Sequence, residues 1–97
     1  MIERHVTFNV IPGKEKDFEA LFKDAYCIAM SKQPGFVSVT LLKEHEKEAV
    51  YQMAIRFQSL ETAAAWRDSA EHKALSPRIK TLVKESTVQV YEVVAQK

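Results

Sequence analysis

Apolar and polar positions alternate with period two from Ile2 to Ile11. Ile2, Arg4, Val6, Phe8 and Val10 share one phase, and Glu3, His5, Thr7, Asn9 and Ile11 share the other. Successive side chains on a strand point to opposite faces, so this stretch predicts a strand with one core-facing side. The mixed phase leaves His5, Thr7 and Asn9 for a wetter surface. Pro12-Gly13 ends the strand, because proline has no ladder donor and glycine permits the turn. From Lys14 to Ser31 the period changes. Phe18, Leu21, Phe22, Ala25, Ile28 and Ala29 recur at three and four, with Lys, Glu and Asp between them, predicting one amphipathic helix. Gln33-Pro34-Gly35 stops it, since the residue before proline is driven away from helical angles.

Two further alternating runs follow, Phe36 to Lys43 and Ala49 to Gln58. In the first, Val37, Val39 and Leu41 oppose Phe36, Ser38, Thr40 and Leu42. In the second, Tyr51, Met53, Ile55 and Phe57 oppose Val50, Gln52, Ala54 and Arg56. The charged run Glu44 to Glu48 between them lacks glycine and predicts a solvated hairpin loop, with His45 at its surface. Ser59 is placed to cap a helix through Trp66, and Ser69 to cap a second one, with Glu71 at its positive end. Ser76-Pro77 predicts a cap and first-turn proline opening a last helical segment with Ile79, Leu82 and Val83. Thr87 to Ala95 alternates again, as a fourth strand.

The order β-α-β-β-α-β predicts an α+β, ferredoxin-like fold: one domain over residues 1–97, with a four-stranded antiparallel sheet and helices on one face. Its other face carries apolar residues from several strands. A homodimer covering that face is the expected remedy.

Composition narrows the classes. Apolar residues make up 46% and charged residues 28%, as in an ordinary globular chain and unlike a disordered one. A net charge of +1, with cations and anions interspersed, gives no nucleic-acid footprint. The single cysteine, Cys27, has no intrachain partner and is expected to be a buried, inert thiol, which fits a reducing cytoplasm. No apolar run reaches the length of a membrane span and no secretory leader is visible, so no membrane association is expected. No phosphate loop, metal-ligand cluster or nucleophile elbow is present in the sequence.

Pro34-Gly35-Phe36 entering the second strand, Arg56-Phe57 ending the third, and the spacing Trp66-x-x-Ser69-x-x-His72 together resemble the antibiotic biosynthesis monooxygenase domain, over essentially the whole chain. The resemblance implies a dimeric α+β barrel in which two sheets pack face to face. It also implies a pocket between each sheet and its helices. Better-known members oxidise quinols or polyketide anthrones with molecular oxygen and neither metal nor flavin. Others degrade haem, isomerise small phosphorylated sugars, or have no known activity. Trp66 matches the pocket tryptophan of the oxygenase branches. The haem-degrading branch requires a first-strand asparagine and a histidine about ten residues after the tryptophan. Val6 and Ser76 stand at those positions here, and Asn9 lies on the opposite strand phase, so haem degradation is not expected.

The candidate site residues follow. Trp66 is either a core anchor or an aromatic wall for a flat substrate. His72 is either a helix-start residue or a base whose ordinary pKa suits proton transfer near neutrality. Arg56 is a candidate for holding an oxyanion, or simply one half of an ion pair. Phe57 and Tyr51 are candidate substrate-lining residues, Tyr51 and Tyr91 being most simply core residues whose hydroxyls reach an edge. His5 is expected at the dimer face. The functional expectation is a cofactor-independent monooxygenase taking a quinol- or anthrone-like aromatic and molecular oxygen. The alternative is a non-catalytic small-molecule-binding or stress-associated dimer.

Overall fold

The first alternating run becomes strand β1, Ile2–Val10, in a computed structural model that describes residues 1–97. It is followed by α1 (Glu15–Leu21), a π-helical turn (Phe22–Tyr26), α2 (Cys27–Ser31), β2 (Phe36–Lys43) and β3 (Val50–Phe57). Then come α3 (Leu60–Asp68), α4 (Ala70–Lys80) and β4 (Val83–Glu92). The strands form one antiparallel sheet in the order β2-β3-β1-β4, the ferredoxin-like arrangement. No helix is long and apolar enough to cross a membrane.

Register sets what each face carries. Ile2, Arg4, Val6 and Phe8 of β1 stand opposite Phe57, Ile55, Met53 and Tyr51 of β3. This phase meets the helices. Phe8, Val10, Tyr51, Met53, Ile55 and Phe57 are buried with Phe18, Leu21, Tyr26, Met30, Ala63, Trp66, Leu75 and Ile79 in one core. The outer face pairs Glu3, His5, Thr7 and Asn9 with Arg56, Ala54, Gln52 and Val50 on one side. On the other side they meet Tyr91, Gln89, Thr87 and Glu85. That face is more polar than the sequence pattern implied, with Leu42, Val50, Ala54 and Tyr91 as its apolar members.

Several local expectations are corrected. The long helix after Pro12-Gly13 is interrupted by the π-helical turn, which takes up an extra residue. The apolar stripe is thereby rephased: after Phe18 and Leu21 the buried positions are Tyr26 and Met30, while Ile28 is 45% exposed. Cys27 is only partly buried, its thiol directed at the Lys23 carbonyl oxygen. A bulge between Phe36 and Ser38 carries Phe36 onto the helix-facing side and leaves Val37 exposed. Ser76-Pro77 opens no new helix, because Pro77 lies inside α4. Strand β4 begins at Val83, earlier than its alternation indicated, pairing with Val10 after a register shift. Tyr91 is exposed on the outer face, its ring 4.8 Å from His5.

Ser59 does cap α3. Its hydroxyl accepts from the Thr62 amide at 3.2 Å while the Thr62 hydroxyl accepts from the Ser59 amide at 3.1 Å. Gly35 packs against this cap with φ +79°, and a Cβ there would lie 2.5 Å from the Thr62 Cβ. Gly13 has φ +93° and nothing within 4 Å of the same position. Gly13→Ala should therefore cost only the left-handed backbone penalty, about 1–2 kcal/mol. Gly35→Ala should cost distinctly more, because the clash also disturbs the cap. Chemical denaturation of both variants measures the difference, and equal losses would show that Thr62 moves aside freely.

Candidate functional site

On the two central strands, β1 and β3, the helix-facing phase is apolar at every position except Arg4; on the edge strands it also carries Lys43, Ser86 and Glu92. The cross-strand neighbours of Arg4 are Ile55 and Val90. Arg4 is partly buried and makes no salt bridge; the ion pairs of the structure are His5–Glu3, Lys47–Glu44 and Arg56–Glu3. Burial lowers its pKa first, with the Arg67 charge adding to the effect. A guanidinium nevertheless stays protonated in water-accessible protein sites.

Above this region three rings meet. Trp66 lies in the second half of α3 and is fully buried. Tyr26, brought inward by the π-helical turn, meets it edge-on with ring centres 5.4 Å apart. His72 also meets the indole edge-on, at 5.1 Å, and Tyr26 lies 6.2 Å from His72, so the three rings form a triangle. Edge-to-face geometry of this kind is favoured by the ring quadrupoles.

Ser69 explains how two helices deliver this pair. The last carbonyls of α3 and the first amides of α4 both lack intrahelical partners. The Ser69 hydroxyl donates to the Trp66 carbonyl oxygen at 2.7 Å and accepts from the His72 amide at 3.1 Å. One side chain thus closes one helix and opens the next.

The site is short of acceptors. Trp66 Nε1 is buried and makes no hydrogen bond of good geometry, although the Tyr26 hydroxyl is near enough for the N–H to oppose the rise of its pKa. Burial pushes the Tyr26 hydroxyl up to about 12, against the opposing pull of Arg4. His72 is lowered from its ordinary 6.5, first by burial and then by the Arg4 and Arg67 charges, with Asp68 acting in the other direction. A lowered pKa keeps the imidazole neutral at physiological pH and able to accept a proton.

The remaining predicted residues lie elsewhere. Phe57 is buried on the helix-facing side at the Ile2 end of the sheet, edge-on to Phe36 at 5.9 Å. Tyr51 is buried opposite Phe8, its ring 5.1 Å from Phe18, and its hydroxyl donates to Glu19. Arg56 is on the outer face, where its guanidinium donates to Glu3 and Gln96. The structure therefore brings Trp66 and His72 together and leaves Arg56 and Tyr51 apart from them. Tyr26, which the sequence did not single out, joins the pair, and the Arg4 charge acts on both Tyr26 and His72. An arginine in the core phase of a strand was the available signal for Arg4. No sequence signal marks the π-helical turn that delivers Tyr26.

None of the main surface cavities is lined by this cluster. The largest, about 590 Å³, lies between α1 and α4 beside Asp17, Asp24 and Arg78. A second, about 460 Å³, opens on the outer face beside Thr7, Leu42 and Gln52. On β4, Val88 and Val90 share the phase of Val6 and Arg4 and are 48% and 54% exposed.

The fold is a ferredoxin-like α+β domain with an aromatic cluster of Tyr26, Trp66 and His72. The model of the antibiotic biosynthesis monooxygenase family matches residues 1–78, and the chain belongs to that family. The fold is shared with SnoaB, a cofactor-independent oxygenase from Streptomyces nogalater, in a single-residue variant. That match has a TM-score of 0.90 at 20% identity, covering 98% of this chain and 94% of that one. A conserved protein from Methanosarcina mazei Go1 matches with a TM-score of 0.87 at 20% identity, over 94% of this chain and 90% of that one. No curated protein matches the chain in sequence.

The His72 environment has a measurable consequence. Its folded-state pKa is depressed, so the unfolded chain binds the proton more readily in the range below 6.5. Stability should consequently fall as pH drops through that range, and His72→Gln should flatten this part of the profile. Histidine NMR titration should place His72 below 6.5. A value at or above this would mean the ring is solvated and free of the Arg4 and Arg67 charges.

Proposed function

We propose that this chain is a cofactor-independent monooxygenase that oxidises a quinol- or anthrone-like aromatic at the Trp66–His72 cluster. The observation carrying the proposal is the His72 ring standing edge-on 5.1 Å from a buried indole, where burial and neighbouring cations lower its pKa. Family membership and the fold shared with a cofactor-independent oxygenase support it.

The chemistry needs only a base and a dry aromatic setting. His72 removes a proton from the substrate, leaving an electron-rich phenolate or enolate. A ring carbon of that anion bonds one oxygen atom of molecular oxygen. The resulting peroxide eliminates water to leave a carbonyl, so a methylene and one molecule of oxygen give one ketone and one water. Trp66 presents an aromatic wall to the planar substrate, and the surrounding core excludes bulk water.

Loss of a general base costs about 10²–10⁴-fold in rate. His72→Ala should reduce oxygen uptake on an accepted quinol or anthrone to that extent while leaving the fold intact. Trp66→Phe should raise KM more than it lowers kcat. Full oxygen uptake by His72→Ala would remove the imidazole from the mechanism.

The complete burial of Trp66 and the absence of a main cavity at the cluster favour a second reading, a non-catalytic ligand-binding or stress-associated domain. Oxygen uptake screened over a panel of quinols and anthrones separates the two: turnover supports the enzyme, and saturable binding without turnover supports the binding domain.

We further propose a homodimer in which two outer sheet faces pack together, with His5, Thr7 and Asn9 toward the barrel interior. Leu42, Val50, Ala54 and Tyr91 supply its apolar contacts, and the partly exposed Cys27 on α2 is compatible with a reducing cytoplasm. A pairing of whole sheet faces should bury roughly 2,000 Å² or more. Sedimentation should show a dimer at micromolar concentration; a stable monomer there would overturn this arrangement.

A further inference from the structure

We propose that His5, within the Glu3–His5–Arg56 cluster of the outer sheet face, is a pH switch on self-association: its protonation weakens the pairing of that face with the same face of a second copy. The inference rests on the homodimer reading and adds its regulation and the residue responsible.

Strand register places His5 well inside the outer face. It stands on the central strand β1 between Ala54 and Gln89, one row from Glu3 and Arg56 and one row from Thr7 and Gln52. The imidazole Nε2–H donates to one Glu3 carboxylate oxygen at 2.5 Å, and the Arg56 guanidinium donates to the other. All three residues are partly buried already in the single copy. A carboxylate only accepts, so Nε2 carries a proton in either charge state and the ring titrates at Nδ1.

With Nδ1 unprotonated, one carboxylate balances one guanidinium and the cluster is neutral. Hydrogen bonds from His5 and Arg56 hold the Glu3 carboxyl below its ordinary range, so it stays ionised as the pH falls. A proton on Nδ1 therefore leaves the cluster with one positive charge in excess. The other groups on this face do not take it up. On β2 the neighbouring rows carry Ser38 and Thr40. The neutral Tyr91 phenol, its ring 4.8 Å from the imidazole, donates to Gln89, and the neutral Gln96 accepts from Arg56. Glu85 is exposed, bonded to the Asn9 amide and about 13 Å along the strand from His5. Glu44, beyond β2, pairs with Lys47.

A two-fold contact sets a patch against its own copy. Neutral clusters tolerate that arrangement. Two clusters each carrying an extra positive charge, held between sheets about 10 Å apart and away from water, repel one another. On the open face of a single copy, water and salt screen the same charge. The proton thus binds more weakly in the dimer than in the free chain, and by linkage the dimer loosens as the pH falls through the histidine range.

Sedimentation equilibrium of the full chain at about pH 8 and about pH 5.5 brackets that range. Two protons are taken up per dimer dissociated, which sets a limit of about a hundredfold in Kd per pH unit, and a rise of at least about tenfold is expected across the interval. His5→Gln keeps an N–H for Glu3 without the titration, and should dimerise equally at both pH values. His45→Gln, in the charged loop, should behave as the native chain does. Circular dichroism at each pH separates dissociation from unfolding. An equal or tighter dimer at the lower pH, a pH dependence that survives in His5→Gln, or unfolding of the native chain at the lower pH would overturn the proposal. Equal dimerisation at both pH values defeats the switch and leaves the homodimer standing, whereas a monomer at the higher pH defeats both.

Discussion

The register of β1 is the constraint on which the rest depends. As the central strand it is hydrogen-bonded to β3 on one side and β4 on the other, so its phase cannot slip without exposing Ile2, Phe8 and Val10 together. Pairing on both sides therefore fixes every β1 side chain to one face. Arg4 belongs to the same phase, and the energy that holds those apolar residues inward also keeps a partly buried arginine on the helix-facing side. No local rearrangement frees it, because rotating one residue out of a central strand breaks ladder bonds on both sides. The placement of Arg4 is a consequence of the fold's most strongly determined element.

The π-helical turn is the second determinant, and it acts on the same place. A regular helix from Glu15 to Ser31 would continue the stripe of Phe18, Leu21, Phe22 and Ala25 toward Ile28 and Ala29. The extra residue taken up in Phe22–Tyr26 rotates the following turns, buries Tyr26 and Met30, and turns Ile28 to solvent. Wider turns of this kind carry poorer hydrogen bonding and recur near functional positions. Here the turn places a phenol against the indole and the imidazole. Without it the Trp66–His72 pair would lack its third ring, and the core would be filled by isoleucine.

Element order and strand phase were legible because they rest on simple periods. Alternation in β1 and β3 reads directly as one buried face, and Ser59 and Ser69 announced their helices through hydroxyls placed before them. What failed in sequence had physical causes. Pro77 looked like a helix start, yet a proline can also be carried inside a helix at the loss of one amide donor. The bulge at Phe36/Ser38 and the π-helical turn each insert a residue, which shifts a pattern without leaving a mark on composition. That Trp66 and His72 lie together follows from their spacing around Ser69. Arg56 was a reasonable choice for an oxyanion until its face was known, since the sequence shows its phase but not that Glu3 stands opposite it.

The spacing Trp66-x-x-Ser69-x-x-His72 is explained in full by helix capping. One hydroxyl bonds backward three residues and forward three residues, and any chain needing a sharp α3–α4 corner would benefit from it. The motif by itself is therefore an argument for architecture. Features that folding does not need carry the functional weight instead. A leucine at position 66 would pack without leaving a buried N–H unpaired, and a valine at position 4 would suit the apolar phase better than a cation. An ordinary core would favour both changes, because each removes an uncompensated polar group. A residue type that the fold would reject unaided needs a reason from outside the fold. Trp66 is such a residue, and its ring meets His72 edge-on.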